Sequence, residues 1–164
     1  MGEIVLDLSG LGFILYSPPA VGHISQGSDY LRECFWQPED VARHVMDCQL
    51  TAFGTGTPGS FRIRFWSGPL EEEAVDEADF KLRLGLQIHD GVICIRDLYD
   101  LMSWTADCPA SQQLAIADGW YRLTVYTSRP ASGILGDNQV IDIHLEATQE
   151  KPNLRWEGVP SLCD

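Results

Sequence analysis

The stretch KLRLGLQIHDGVICI (81–95) carries the clearest signal of fold class in the sequence. From residue 82 to residue 88, leucine or isoleucine occupies every second position, which is typical of a strand with one buried face and one solvent face. Asp90 and Gly91 then connect this strand to a second apolar run. An Asp-Gly pair favours a two-residue hairpin turn, because both turn positions need a positive φ. The stretch therefore predicts two antiparallel strands joined by a tight turn.

The same patterns continue on both sides of this stretch. A second Asp-Gly turn is predicted at Asp118-Gly119, and SGLG (9–12) predicts another hairpin near the start of the chain. Helix signals are scarce; PEDVARHVM (38–46) is the best, with Pro38 at the first helical position and Val41, Ala42, Val45 and Met46 as its inner stripe. The further predicted strands cover 3–8, 12–17, 60–66, 92–95, 113–117, 120–127 and 139–147.

Many short strands separated by turns predict an all-β protein. We expect an antiparallel β-sandwich, or a flattened barrel, of eight or nine strands with one short helix. The length of 164 residues suits one domain. We place that domain at 1–147 and expect the polar segment 148–164 to form a C-terminal tail packed on it or draped over it.

The cysteines and the chain start bear on location. Five cysteines, with no C-x-x-C, suit reduced thiols in a cytoplasmic protein better than a disulfide framework. The start MGEIVLDLSG has acidic residues where a signal peptide would carry lysine or arginine. No apolar run reaches the length of a membrane span. We expect a cytoplasmic protein.

Catalytic signatures are absent from the sequence. It has no G-x-S-x-G, and its four histidines are scattered. Cys94 lies in an apolar strand, where a thiol behaves as a small hydrophobe. His89 and His144 lie in strand patterns and are expected to face solvent. These features predict no enzyme activity, no cofactor and no metal site.

The densest charge lies in the stretch from Glu71 to Asp79, in which six of nine residues are acidic and none is basic. A solvated loop that discourages edge-to-edge strand pairing explains such a run. A calcium site built on Asp76, Glu77 and Asp79 is a second explanation, and a surface for a positively charged partner is a third. The net charge of −13 argues against direct binding of nucleic acid or an anionic membrane.

The order of strands and turns resembles the ComJ-like proteins, small acidic inhibitors of a competence nuclease. The segments that carry the resemblance lie between about residues 3 and 147. Residues 20–35, residues 98–111 and the tail after 147 depart from the family pattern. The segments are EIVLDLSGLGFILYS (3–17), GSFRIRFWSG (59–68), DFKLRLGLQIHDGVICI (79–95), ADGWYRLTVYT (117–127) and DNQVIDIHLEA (137–147).

The resemblance implies an inhibitor or immunity protein that binds a basic nuclease, either a competence enzyme or a secreted toxin, and blocks its cleft. Carboxylates would then stand where phosphates bind, and aromatic anchors would supply affinity. The alternative is a non-catalytic β-sandwich that binds a sugar or calcium. The sequence leaves the oligomeric state open. The predicted partner-binding residues are Glu71, Glu72, Glu73, Asp76, Glu77, Asp79, Trp104 and Trp156.

Overall fold

A computed structural model describes residues 1–156 and 160–163. The described chain forms two packed β-sheets with short helices around them. The strands are β1 (Gly2–Leu8), β2 (Gly12–Tyr16), β3 (Leu50–Gly54), β4 (Gly59–Trp66), β5 (Phe80–Ile88), β6 (Val92–Asp97), β7 (Gln113–Ala115), β8 (Gly119–Thr127) and β9 (Gln139–Thr148). The α-helices are α1 (Tyr30–Cys34), α2 (Pro38–Asp47) and α3 (Glu72–Glu77), with 3₁₀ turns at Pro18–Val21, Leu98–Ser103 and Ala110–Gln112.

The architecture is mostly β and sandwich-like, as predicted. One sheet has the strand order β1-β4-β9-β8-β5 and the other has the order β3-β2-β6-β7. Over the described residues the sheets do not close into a barrel. Two parts of the prediction were too simple. The neighbours β4 and β9 run parallel, and the described chain holds three α-helices where one was expected.

The core lies between the two sheets. Alternation in β5 buries Leu82, Leu84, Leu86 and Ile88 as expected, because successive strand residues point to opposite faces. Aromatic rings join the sheets: Phe13 of β2 packs edge-on against Phe61 of β4, with the ring centroids 5.4 Å apart. This packing fixes how the two sheets face each other.

The two sheets differ in how their outer faces are covered. Every residue of β2 is buried, and so are four of the five residues of β3. Helix α2 packs against β3, and 3₁₀ turns pack against β2 and β6. In contrast, β1 and β4 alternate between buried and exposed residues. The five-stranded sheet therefore keeps an outer face open to solvent along β1 and β4.

Helix α2 forms where it was predicted, with Pro38 in its first turn. Val41, Ala42 and Val45 are buried. Met46 does not belong to the inner stripe as expected, since it is 36% exposed. The helix ends directly after it, and Cys48 adopts a left-handed conformation that turns the chain toward β3.

The predicted hairpins are wrong, and of the predicted turns only Asp90-Gly91 has positive φ at both positions. The chain passes from the five-stranded to the four-stranded sheet between β1 and β2 and between β5 and β6, and it returns between β3 and β4 and between β7 and β8. Asp90 and Gly91 have φ values of +56° and +69°, as a primed turn requires. Beyond a single bridge between His89 and Val92, the flanking strands pair with other partners.

Hydrogen bonds join the two Asp-Gly corners, Asp90-Gly91 and Asp118-Gly119, at which the chain passes from one sheet to the other. The Gly91 amide donates to Asp118 Oδ1 at 2.7 Å, and the Ile116 amide donates to the Gly91 carbonyl at 2.9 Å. The two Asp-Gly corners therefore brace each other. In the connection between β1 and β2, a Cβ on Gly10 would lie 2.5 Å from Asp97 Oδ1, so a larger residue there would displace the Asp97 and Tyr99 side chains.

The described end of the chain lies along β3. The Gly54 amide donates to the Pro160 carbonyl and the Leu162 amide donates to the Gly54 carbonyl, both at 2.8 Å. Leu162 is buried in the core. The predicted division at residue 147 stays a prediction.

Candidate partner-binding surface

The acidic segment, residues 71–79, forms a helix where a loop was predicted. Helix α3 occupies six residues of it, and only Val75 is buried. The N-cap residue Glu71 forms no side-chain capping bond. At the other end, Lys81 Nζ donates to the carbonyls of Val75 and Asp76 at 2.9 and 3.3 Å. A lysine there offsets the partial negative charge of a helix C-terminus.

The carboxylates of the acidic segment point into solvent. All six acidic residues are exposed. Six ion pairs occur among the described residues, and none includes a carboxylate of this segment. Arg83 lines a depression together with Glu72 and Asp76 without forming an ion pair. Asp79 accepts a hydrogen bond from the Arg129 amide at 2.8 Å. The segment is therefore an open electronegative surface.

Trp104 is not the surface anchor that the sequence predicted. It is 1% exposed. Its ring packs against Tyr16, with centroids 5.7 Å apart, and the Arg96 guanidinium lies 4.6 Å from its centroid. Its backbone is tied to the segment at 27–28 through two hydrogen bonds. Sequence could not show this burial, because the contacts come from residues far away in the chain.

Trp156 lies in the C-terminal tail, half-buried against the core. Its indole N–H donates to the Arg83 carbonyl at 3.2 Å. This contact places the ring against β5, the strand at the edge of its sheet. Trp156 therefore fixes the tail to the sandwich in this structure, and its role as a partner anchor stays a prediction.

A polar cluster that the sequence analysis missed lies on the open face beside α3. Asp142 accepts hydrogen bonds from Arg64 Nε at 2.7 Å and from Arg64 Nη2 at 3.0 Å, and a third from the Trp66 indole N–H at 2.8 Å. The bonded carboxylate raises the pKa of Arg64. Arg64 and Asp142 are opposite each other only because β4 pairs with β9. Local patterns gave no signal for that pairing.

His144 belongs to the same face. It was predicted to face solvent, and that prediction is wrong. It is buried, and its Nε2–H donates to the Gly68 carbonyl at 2.6 Å. The contact ties the segment that leads into α3 down onto β9. Tyr126 lies nearby on β8, and burial, followed by the neighbouring carboxylates of Asp142 and Glu71, raises the pKa of its phenol.

Two contiguous cavities, together called the groove, lie over this cluster. Their volumes are about 690 and about 190 Å³. Both are lined by Arg64, Ala74, Tyr126 and Asp142. Helix α3 forms one wall, and the loop from Ser128 to Asn138 contributes the other. The groove thus runs between the acidic helix and the β8–β9 loop.

The thiol considered for catalysis is poorly suited to nucleophilic attack. Burial, with contributions from Cys108, raises the pKa of Cys94 to about 12. The thiolate is the nucleophilic form of cysteine, so Cys94 stays protonated at neutral pH. Among residues 1–156 and 160–163, no group of three histidine, cysteine or acidic residues is arranged to hold a metal ion. Across the same ranges, none of the helices combines the length and apolar character needed to cross a membrane.

The described chain is a β-sandwich with an acidic helix beside one sheet, and two solved structures are similar to it in fold. ComJ from Bacillus subtilis, an inhibitor of the DNA degrading activity of NucA, is similar with a TM-score of 0.51 and 16% identity. The match covers 90% of this chain and 96% of ComJ. The protein named Crocagin biosynthetic gene J is similar with a TM-score of 0.55 and 15% identity, over 88% of this chain and 96% of that one.

These likenesses establish a ComJ-like fold. No protein-family model matches the sequence, and no curated protein matches it.

Proposed function

We propose that this chain is a protein inhibitor that binds a basic nuclease and blocks its nucleic-acid cleft. The observation that carries the proposal is the acidic segment, whose six exposed carboxylates form no ion pair in the described structure. The ComJ-like fold supports it, because ComJ inhibits the DNA degrading activity of NucA. The target is a competence nuclease or a secreted toxin; in the second case the chain acts as an immunity protein.

The physical basis is competition for a cleft that evolved to bind phosphate. Such a cleft is lined with lysine and arginine, and carboxylates on a protein surface can bind these side chains in place of phosphates. With a net charge of −13, this chain would be attracted to the cleft before contact. Electrostatic steering of this kind raises association rates by roughly 10- to 1000-fold and weakens with salt.

The proposal assigns no reaction to the chain and no direct contact with nucleic acid or membrane. We place it in the cytoplasm, where reduced thiols persist. A single exposed ion pair contributes only about 0–1 kcal/mol, so the acidic segment would mainly set the rate of encounter. Affinity has to come from a better-desolvated contact elsewhere on the surface.

The test is inhibition of an identified nuclease. Affinity capture from the source cell, followed by mass spectrometry, supplies the candidate partner. Its cleavage of plasmid DNA is then measured with increasing amounts of this chain at two salt concentrations. We expect inhibition that saturates at equimolar protein and weakens at high salt. A tightly captured partner whose cleavage of DNA is unaffected would contradict the proposal.

A further inference from the structure

The outer face of the five-stranded sheet is the open sheet face in the described structure. The other sheet is covered by α2 and the 3₁₀ turns, as its fully buried strand β2 shows. On the open face, Trp66 is 43% exposed, and Arg64 and Tyr126 are half-buried. Aromatic and arginine side chains are enriched at protein interfaces. This face therefore carries side chains of the kind found at protein interfaces.

The groove gives this face a concave shape. Its larger part, of about 690 Å³, has small side chains on the helix wall, Ala74 and Ala78, and aliphatic or aromatic side chains on the floor, Val140 and Tyr126. Small residues on the helix leave room for a long side chain to enter beside them. The volume suits one extended side chain with adjoining backbone better than a rigid secondary-structure element, which is about 10 Å wide.

The charges around the groove favour a cation. Asp142 at the floor is neutralised by Arg64 through two hydrogen bonds. Glu71 lines the smaller cavity, whereas Glu77 and Asp137 line the larger one. Against these three carboxylates stands Arg129, whose guanidinium lies 5.2 Å from the Phe80 ring centroid. The net charge around the groove is therefore negative, and the carboxylates lie on both of its walls.

We infer that the groove receives an arginine side chain from a loop of the basic partner; this inference rests on the proposed function. The aliphatic stem packs on Ala74 and Ala78, and the guanidinium lies against the Tyr126 ring within reach of Glu77. Arginine fits better than lysine, because its planar group stacks on aromatic rings and is more weakly hydrated. The groove thereby supplies the desolvated anchor that buried Trp104 cannot provide.

The assignment separates two roles of α3. Glu72 and Glu73 face outward and line a depression outside the groove, so they affect the rate of encounter with the partner. Glu77 also lines the groove, so it acts in the bound state as well. The two kinds of glutamate have the same charge and lie on the same six-residue helix, which makes them matched test positions.

The test uses the peptide Ac-Gly-Arg-Gly-NH₂ as probe and NMR of the full-length chain as readout. The Trp66 indole N–H serves as the reporter, because it lies at the groove and is bonded to Asp142. We expect saturable shifts of this signal and of amides at positions 74, 78 and 126. The isosteric citrulline peptide, which lacks the charge, should shift them at least about fivefold less at equal concentration.

Two variants then separate binding in the groove from the long-range attraction of the negative charges on α3. We expect Glu77→Gln to weaken binding of the arginine peptide about fivefold, and Glu73→Gln to weaken it less than twofold, as exposed pairs contribute little. Equal effects of the two variants, equal shifts with citrulline, or shifts confined to residues 72 and 73 would each overturn the groove as an arginine site.

The same variants distinguish this inference from the proposed function. One outcome is that the chain inhibits its nuclease while neither Glu77→Gln nor Glu73→Gln speeds dissociation of the complex. In that case the groove assignment is wrong and the proposed inhibitor function stands. If the arginine peptide binds in the groove and no captured nuclease is inhibited, the proposed function is wrong. We expect Glu77→Gln to speed dissociation of the nuclease about fivefold with little change in association.

Discussion

Two charged regions of the molecule differ in how their charges are satisfied. Arg96, 3% exposed, donates to Asp100 at 2.8 Å, to the Tyr16 hydroxyl at 3.1 Å and to the Thr105 carbonyl at 2.7 Å, and it lies over Trp104. Burial lowers the pKa of Arg96, but the interactions with Tyr16 and Asp100 outweigh it and the pKa is raised. In the acidic segment, by contrast, no carboxylate is in an ion pair of the described structure.

The fold pairs the charges on which its stability depends. A buried cation without partners costs several kcal/mol, so Arg96 persists only with its full set of acceptors. The acidic segment is under no such constraint, because water solvates its carboxylates. Its charges can therefore be changed with little effect on folding. Four variants test that contrast by their effect on the free energy of unfolding, measured in urea.

The largest loss is expected for Arg96→Ala. The change removes three hydrogen bonds and the guanidinium over Trp104 and leaves Tyr16 and the Thr105 carbonyl without a partner. We expect a loss of about 3 kcal/mol. The control Arg43→Ala, which breaks only a surface pair with Asp40, should cost under about 1 kcal/mol. Similar losses for both variants would contradict the contrast.

A smaller loss is expected for Asp142→Asn at the floor of the groove. The amide keeps one acceptor but loses the charge that holds Arg64 and the Trp66 indole. We expect a loss of about 2 kcal/mol together with a shift in Trp66 fluorescence. Glu146→Gln on the same strand is the matched control, since its pair with Arg122 spans 3.8 Å and is exposed. A stability equal to that of the control would show that the cluster does not stabilise the sheet.

Lys81→Met should have a still smaller effect. The change removes the ammonium that caps α3 while keeping the aliphatic stem. We expect a loss of about 1 kcal/mol and faster amide exchange in α3 than in β5. Unchanged exchange in α3 would mean that burial of Val75 alone holds the helix.

The smallest effect on stability is expected when all six acidic residues of the segment become serine. We expect the free energy of unfolding to change by less than about 1 kcal/mol in total, because none of the carboxylates is buried or in an ion pair in the described structure. Association with a basic nuclease should slow at least about tenfold and lose much of its salt dependence. Failure to fold would show that the segment is structural, and unchanged association would show that it is a solvated connector.

Strand positions were largely predictable from the sequence, whereas strand partners were not. Alternation correctly indicated β4, β5, β8 and β9. The strand LTAFG at 50–54 was missed, because it is buried on both faces and does not alternate. The Asp90-Gly91 turn was recognised from its chemistry, but no local signal shows that the chain changes sheets there. Pairing between the strands depends on contacts between residues up to 84 positions apart, as for Phe13 and Asp97.

The candidate site was half predictable for the same reason. The acidic residues were visible as a run, and their exposure followed from their charge. That they form a helix depends on Val75, the single buried residue of α3, and on Lys81, which the run does not contain. Trp104 could not be placed from composition, since an aromatic residue in a loop serves equally as core or as interface.

The position of β9 has a consequence for how the molecule assembles. This strand, the last of the described chain, lies in the middle of its sheet between β4 and β8. Until it is synthesised, the pairs β1–β4 and β5–β8 are two separate ribbons with unsatisfied backbone groups along the seam. Such edges invite association between nascent chains. Fragments that stop before residue 139 should therefore accumulate as aggregates, and ribosome-bound chains should gain protease resistance only after β9 emerges.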